Sequence, residues 1–469
     1  MRTILSITII FFFVFGIKAQ SICDIKITIQ NYNHDTLTLG GFIGGDRLPI
    51  ELIKRSKEGN FSISNAKKLP EGMYYIQLLP DNRYFEFVVD ADQQFSISTN
   101  FDKIYEELSC IGSVENELYF KCLKLINEKR QEANELNSKI NLFQSRDPIL
   151  AKEAKDKLKL LNNLVIQEQL YFLNNAPKSL TKKYILSSKE PEPEEYNSND
   201  PVQVNKAENY VKLHFLDNID FTDERIMRSP YPYNQIQALL INNINHPDSL
   251  ISAIDIVMSK ILGSINTNKV YFEFCMKLIS SPRPKYLENA LVYVVRNYIQ
   301  KGKINWIQKS DSLSFVTNID KIEPLLLGRT APDFVMTNEN GEHERALLSD
   351  SLVKVLYFGE YNCAPCQPVL MGLLDFYDIY KFKHVEVIGV CSNTGEACKK
   401  CFQYAEANLV QFRFLADPEK GLDVLKQYNI NSTPAIFVLN KNNQILAKNI
   451  GLQELYKVVN KEIISNSKM

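Results

Sequence analysis

Two cysteines separated by two residues, Cys363-Ala364-Pro365-Cys366, carry the sharpest chemical signal in the chain. They follow a short apolar run, Val353 to Phe358, and open a segment in which Leu370, Leu373, Leu374 and Tyr377 fall on one helical stripe. The pair therefore sits where a buried strand gives way to a helix. A thiol there faces backbone N–H groups without intrahelical partners and the positive end of the helix dipole, and both stabilise a thiolate. The thiolate is the nucleophile of disulfide exchange, so lowering a thiol pKa from ~8.5 toward neutrality permits attack at neutral pH. Pro365 suits the first turn, where its missing N–H is not needed. Two intervening residues keep the second sulfur on the same turn. This position assigns attack to Cys363 and resolution of the mixed disulfide to Cys366. The same spacing also serves an inert structural disulfide, or half of a zinc site completed by Cys398-Lys399-Lys400-Cys401. That second pair lies inside an expected helix rather than on a knuckle, so the context favours exchange and no metal is assigned.

Some seventy residues on, Asn431-Ser432-Thr433-Pro434 precedes another clear strand. Pro434 is placed to be a cis proline beside the cysteines, since a cis X-Pro bond costs only ~0.5–1 kcal/mol and marks a fixed turn. It would leave the Thr433 backbone free to pair with an extended substrate strand. The competing reading is an ordinary trans proline at the start of an edge strand. Three further cysteines, 391, 398 and 401, crowd the same region. Cys391 ends a strand on the edge of the sheet that also carries Cys363. Cys398 and Cys401 are three apart on one helical face, where side chains are neighbours. A second exchange pair, Cys398 with Cys401, is one expectation; buried or structurally paired thiols are the other, and the helical context favours the latter.

The elements that position these residues follow from periodicity. From about Leu325 the chain reads strand (353–358), helix (366–380), strand (385–390), helix (396–408), strand (412–415), a hairpin (435–439 and 444–448) and a terminal helix from Leu452. This is an α/β arrangement with a mixed sheet. Upstream, Ser113 reads as a helix N-cap, and apolar spacing from Leu118 to Ile299 is helical, broken at Pro148 and by an acidic loop from Ser188 to Pro201. Cys122 and Cys275 sit among apolar neighbours as core thiols. Residues 24 to 109 alternate with period two at Ile25, Ile27, Ile29, then Phe85, Phe87, Val89, then Phe95, Ile97. Turn signals, the glycines 40, 41, 44 and 45 among them, separate these runs, as in a small antiparallel β-sandwich. The expected organisation is multidomain: a signal peptide over 1–19, a β-sandwich over 20–110, an all-α domain over 111–324 and an α/β domain over 325–469.

The composition excludes some classes of function. Lys plus Arg number 54 against 55 Asp plus Glu, so no net field recruits nucleic acid or an anionic membrane. The five histidines are scattered and leave little for a His-based metal centre. At the start, Arg2 precedes an apolar stretch from Ile4 to Ile17, with Ala19 at a plausible cleavage position before Gln20. That is the layout of a secretory signal, and the run falls short of the ~20 residues needed to span a bilayer. In an oxidising compartment, a protein that keeps reactive thiols needs a reducing partner.

Residues 325 to 469 resemble the TlpA/ResA-like branch of the thioredoxin superfamily. The matching pieces are Gly328-Arg329-Thr330-Ala331-Pro332-Asp333-Phe334, Cys363 to Cys366, and Thr433-Pro434. The resemblance implies an envelope thiol-disulfide oxidoreductase without an organic cofactor, many of its relatives being reductases fed by a membrane electron donor. The whole mature chain, including Gly112-Ser113-Val114-Glu115-Asn116, resembles exported proteins that carry a β-domain and a helical domain of unknown function ahead of a thioredoxin-like domain. Three positions depart from the pattern. Asn362 stands where a tryptophan is usual, Tyr357 where thioredoxin has a buried aspartate, and Val369 where some TlpA-like proteins carry an acid. Glu360 is a candidate substitute base. A peroxiredoxin context, P-x-x-x-T-x-x-C, is not met, because Leu356 and Glu360 fill its first two positions. The expected function is disulfide exchange with partner proteins, in the reducing direction, in the periplasm of a Gram-negative envelope, soluble after signal cleavage. The alternative is a non-catalytic envelope interaction or scaffold protein with a degenerate thioredoxin domain.

Overall fold

In a computed structural model of the chain, the described residues are 23–467 except 175, 177, 198, 245, 264–265, 281–286 and 418–420. The expected signal peptide over 1–19 lies outside them. Among the described residues no helix is long and apolar enough to cross a membrane. The chain divides into two compact units, residues 1–241 with 255–275, and residues 242–254 with 276–469.

The first unit opens with eight strands: β1 (Cys23–Gln30), β2 (Thr36–Ile43), β3 (Asp46–Lys54), β4 (Phe61–Asn65), β5 (Gly72–Leu78), β6 (Arg83–Val89), β7 (Gln94–Asn100) and β8 (Ser109–Ile111). They form two four-stranded sheets, ordered β4-β1-β7-β8 and β3-β2-β5-β6. Cys23, Ile25, Ile27 and Ile29 point inward from β1, as strict alternation requires. The inner faces of the two sheets meet where Phe87 and Phe95 pack edge to face, with centroids 6.4 Å apart. Two details differ from the sequence reading. β1 and β7 run parallel rather than antiparallel; no hairpin joins them, because the chain visits the other sheet in between, so nothing imposes an antiparallel register. Gly40 and Gly41 lie within β2 rather than in a turn, and a Cβ on Gly40 would meet the Tyr75 ring at 2.0 Å. The missing side chain thus makes room for an aromatic ring, while Gly44 and Gly45, with φ of 59° and 83°, make the turn.

Helix α1 (Val114–Phe143) follows, with Ser113 Oγ accepting from the Asn116 backbone N–H. Asn116 donates from Nδ2 to Val88 O at 2.7 Å and accepts from Val88 N at 2.8 Å, fastening the helix start to β6. Glu115 accepts from the backbone N–H groups of Leu180 and Thr181 at 2.7 and 3.0 Å. The Gly-Ser-Val-Glu-Asn motif is therefore a joint between sheet and helices. Cys122 of α1 packs with Leu173 and Ile185, and burial raises its thiol to about 12. α2 (Pro148–Phe172) is capped by Asp147, with Pro148 in its first turn. Further helices include Pro201–His214, Tyr231–Asn242, Pro247–Ile261, Asn268–Ile279 and Leu287–Val294, the last continuing as a π-helical turn over Val295–Ile299. Cys275 is buried in the helix Asn268–Ile279, its thiol raised by desolvation to about 12.

The second unit carries the α/β domain. Its sheet runs β10-β9-β13-β12-β11-β14-β15, built from β9 (Val335–Thr337), β10 (His343–Arg345), β11 (Val353–Gly359), β12 (Val385–Cys391), β13 (Arg413–Ala416), β14 (Ala435–Asn440) and β15 (Ile445–Lys448). β11, β12 and β13 are mutually parallel, and β14 pairs antiparallel with β11. The helices are α3 (Cys366–Tyr380), α4 (Glu396–Ala407), α5 (Gly421–Gln427) and α6 (Leu452–Ser467). Alternation along β11 and β14 splits the core in two. Leu356, Phe358, Phe437 and Leu439 join Val424 and Tyr428 on one side. Val355, Tyr357, Ile436 and Val438 join α3 and α6 on the other. The short β9–β10 hairpin was not anticipated, because three-residue strands leave no readable period, and neither was the two-turn helix α5.

Candidate active site

β11 ends at Gly359, and seven residues later α3 begins at Cys366. The connection turns tightly: Cys363 N donates to Glu360 O at 3.3 Å and Cys366 N to Cys363 O at 3.1 Å. Cys363 and Cys366 are joined by a disulfide. Their surroundings differ. Cys366 is fully buried among Leu370, Leu373 and Tyr357, whereas Cys363 is half-buried and flanked by exposed Asn362, Ala364 and Pro365. Only the first sulfur faces outward from the sheet edge, which is the asymmetry an attacking and a resolving thiol require.

The Thr433–Pro434 peptide is cis. Thr433 O lies 3.6 Å from Cys363 Sγ, so in the dithiol form the thiol can donate to it. The structure thus brings Cys363, Cys366, Thr433 and Pro434 to one point. Glu360 reaches that point through hydroxyls: its Oε1 accepts from Thr433 Oγ1 at 3.5 Å and from Ser392 Oγ at 3.3 Å. Tyr357 is buried beneath and donates its hydroxyl to Cys366 O at 3.3 Å. Desolvation, with a smaller contribution from Tyr404, pushes its phenol well above the ordinary value, so Tyr357 is a neutral donor at the place where thioredoxin has an acid. On the solvent side, Gln367 accepts from Tyr404 OH and donates to Asn408 Oδ1 at 2.9 Å, fixing α4 against the first turn of α3.

The expected second pair, Cys398 with Cys401, is not the one formed. Cys401 is bonded to Cys391, and Cys398 is a free, buried thiol. Neighbouring positions on one helical face bring Cβ atoms close, but both side chains point the same way; the end of β12 supplies a sulfur that faces Cys401 instead. Cys398 is raised by desolvation first and by Asp417 second, which disfavours its thiolate. Asn393, Ser392 and Tyr361 were missed in the sequence. Their signal was positional, since the loops after parallel strands β11 and β12 emerge side by side at the carboxyl edge of the sheet.

The fold and the vicinal cysteines at the start of α3 define a thioredoxin-superfamily domain. Residues 327–448 match the AhpC/TSA family. The chain is 32% identical over 121 residues to thiol-disulfide oxidoreductase ResA of Geobacillus kaustophilus, covering 25% of this chain and 66% of that one. It is 28% identical over 134 residues to ResA of Bacillus cereus, covering 28% and 73%. The chain thus spans about two thirds of the length of the first of these curated relatives. A crystal structure of the thioredoxin domain of a thiol-disulfide oxidoreductase from Bacteroides vulgatus is similar at 22% identity, with a TM-score of 0.28, covering 29% of this chain and 97% of that one. The C-terminal domain is accordingly thioredoxin-like, an AhpC/TSA match with homologues among the ResA thiol-disulfide oxidoreductases.

Proposed function

We propose that the protein is exported and exchanges disulfides with partner proteins through Cys363 and Cys366, running as a reductase recharged by a membrane electron donor. The observation that carries this reading is the unequal exposure of the two sulfurs beside Thr433 O. In the dithiol form, the Cys363 thiolate attacks a substrate disulfide and forms a mixed disulfide, releasing one substrate thiolate. The Cys366 thiolate then attacks Cys363 Sγ and releases the second. Two electrons and two protons pass to the substrate, and the Cys363–Cys366 disulfide remains. Thr433 and Pro434 present the backbone that an extended substrate strand pairs with, and Glu360 orients Thr433.

The reducing direction rests on compartment logic: in an oxidising envelope only a dedicated donor keeps such a pair reduced. Export rests on the secretory layout of residues 1–19, which makes the mature periplasmic chain begin near Gln20. Within that chain we assign a β-domain to 20–110, a helical domain to 111–324 and the exchange domain to 325–469.

Cys366→Ser tests the exchange itself. It should trap mixed disulfides on Cys363 that reducing agent releases and that Cys363→Ser abolishes. No trapping would support the scaffold alternative. Direction is read from the reduction potential of the pair. A value near or below roughly −230 mV fits a reductase, and one near roughly −120 mV makes the protein an oxidant of folding substrates.

A further inference from the structure

The Cys391–Cys401 disulfide lies next to the exchange site in both chain and space. Cys391 is the register partner of Gly359, and Ser392 N donates to Gly359 O at 3.1 Å, so the loops after β11 and β12 leave the sheet side by side. Both sulfurs are buried, with Tyr361 and Phe402 packed against them. Lys400 of α4 places its ammonium 5.5 Å from the Tyr361 ring centroid. Asn393 links the two places. Its Oδ1 lies 3.2 Å from Cys391 Sγ and 3.5 Å from Cys401 Sγ, and accepts from the Tyr361 backbone N–H at 3.1 Å. Its Nδ2 donates to Asn362 Oδ1 at 3.4 Å. Tyr361 and Asn362 immediately precede Cys363.

We propose that Cys391 and Cys401 form a second, redox-sensitive site, opened by a dithiol, that sets the reactivity of Cys363 through Asn393. This rests on the exchange reading of Cys363 and Cys366. Disulfide sulfurs donate nothing, so in the closed state Asn393 Oδ1 serves Tyr361 N–H without competition. Reduction turns both sulfurs into S–H donors. Cys401 Sγ has a second acceptor in Ala397 O at 3.7 Å, but Cys391 Sγ, buried and 3.2 Å from Asn393 Oδ1, becomes a new donor to the oxygen that holds Tyr361 N–H. Sharing that acceptor loosens the Tyr361 bond. The loop that presents Cys363 then loses the anchor that holds it over the start of α3. Asn393 is a positioning residue for that step.

The step balances as ordinary thiol exchange. One thiolate of a protein or small-molecule dithiol attacks a sulfur of the pair and forms a mixed disulfide, releasing the other cysteine. Its second thiolate closes on the first and releases the remaining cysteine. Two electrons and two protons enter Cys391 and Cys401, and the dithiol leaves as a disulfide. Because both sulfurs are buried, the attack needs the first turns of α4 to lift. Cys398, raised by burial, does not substitute as an internal attacker.

The test compares the full mature chain with Cys391→Ser/Cys401→Ser, whose hydroxyls reproduce the donors of the opened pair, and with Asn393→Ala, which keeps the disulfide but removes the acceptor. Two quantities are read: the iodoacetamide alkylation rate of reduced Cys363, and the equilibrium potential of Cys363–Cys366 against a dithiothreitol redox buffer. Both variants should slow alkylation by about fivefold and shift the potential in one common direction. Should the double variant not fold by circular dichroism, Asn393→Ala alone decides. An unchanged rate and potential in Asn393→Ala overturn the coupling. A Cys391–Cys401 bond that survives excess dithiothreitol in the folded wild type, by differential alkylation and mass spectrometry, overturns the redox sensitivity. Failure of the exchange reading looks different: wild-type Cys363–Cys366 would pass no electrons to a protein disulfide, while the alkylation shift would still be measurable.

Discussion

At the scale of residues, the site works by unequal environments for chemically equal groups. Cys363 and Cys366 have the same side chain, yet one is half exposed beside Thr433 O and the other is sealed under α3. Glu360 stands near them, but its bonds run to Thr433 Oγ1 and Ser392 Oγ. A carboxylate in that position orients the Thr433–Pro434 turn more than it moves a thiol proton. Glu360→Gln should therefore slow insulin or model-disulfide reduction by less than the ~100-fold typical of losing a general base. A larger loss, with a flattened pH profile, would make Glu360 the base. Tyr357 cannot fill that role at neutral pH, because burial keeps its phenol protonated.

At the scale of elements, the site depends on β12 lying flat between β11 and β13. Gly389 permits this, since an added Cβ would sit 2.4 Å from Phe414 Cδ2 and 3.3 Å from Phe412 Cε2. Phe412 is buried and Phe414 packs, partly buried, against the same core, so neither ring yields cheaply. Gly389→Ala should cost about 1–3 kcal/mol, as overpacked cores do, seen as a lower midpoint in urea unfolding. The same change should also slow Cys363 alkylation, because β12 ends at Cys391 and carries the Asn393 loop. The helical joint follows a similar logic: Asn116 and Glu115 satisfy backbone groups of β6 and of the helix Leu180–Ser187, so a motif with no chemistry of its own holds two kinds of element together.

At the scale of the whole molecule, acid stability should trace to a charge cluster in the first unit. Burial opposes charge on Asp223, but hydrogen bonds from Arg225 and Lys183 outweigh it and hold the carboxyl well below its usual range. Lys183 Nζ lies 2.6 Å and Arg225 Nη2 2.7 Å from Asp223 Oδ2. The folded pKa is depressed, so the stability this group adds is fully present above the unfolded value near ~4 and is lost as pH falls toward the folded one. Both cations are about a third exposed, which discounts the cluster to about 1–2 kcal/mol. Asp223→Asn should lose that amount at neutral pH and remove part of the acid-side slope of stability in chemical unfolding. An unchanged slope would assign acid sensitivity to other carboxylates.

Local pattern carried a large part of this protein. The alternation of Ile25, Ile27 and Ile29 and the helical stripe from Leu370 to Tyr377 each bury one face, while the run from Val353 to Phe358 is buried on both, and such patterns are a property of neighbouring residues. The place of the Cys363–Cys366 pair was legible for the same reason: four consecutive residues hold both sulfurs and the helix start. What lay beyond the sequence depends on residues brought together across distance. The partner of Cys401 is Cys391, ten residues away across a strand end, and not Cys398 three residues away on the same helix. The parallel pairing of β1 with β7 required the chain to return through a second sheet. Asn393 acquires its place only because two parallel strands deliver their loops to one edge. Sequence by itself determined the longer elements, the C-x-x-C spacing and the superfamily resemblance, since these are written in spacings of a few residues. Tertiary structure alone decided which sulfurs pair and which side chains surround them, because those contacts are selected by packing over separations at which no period survives.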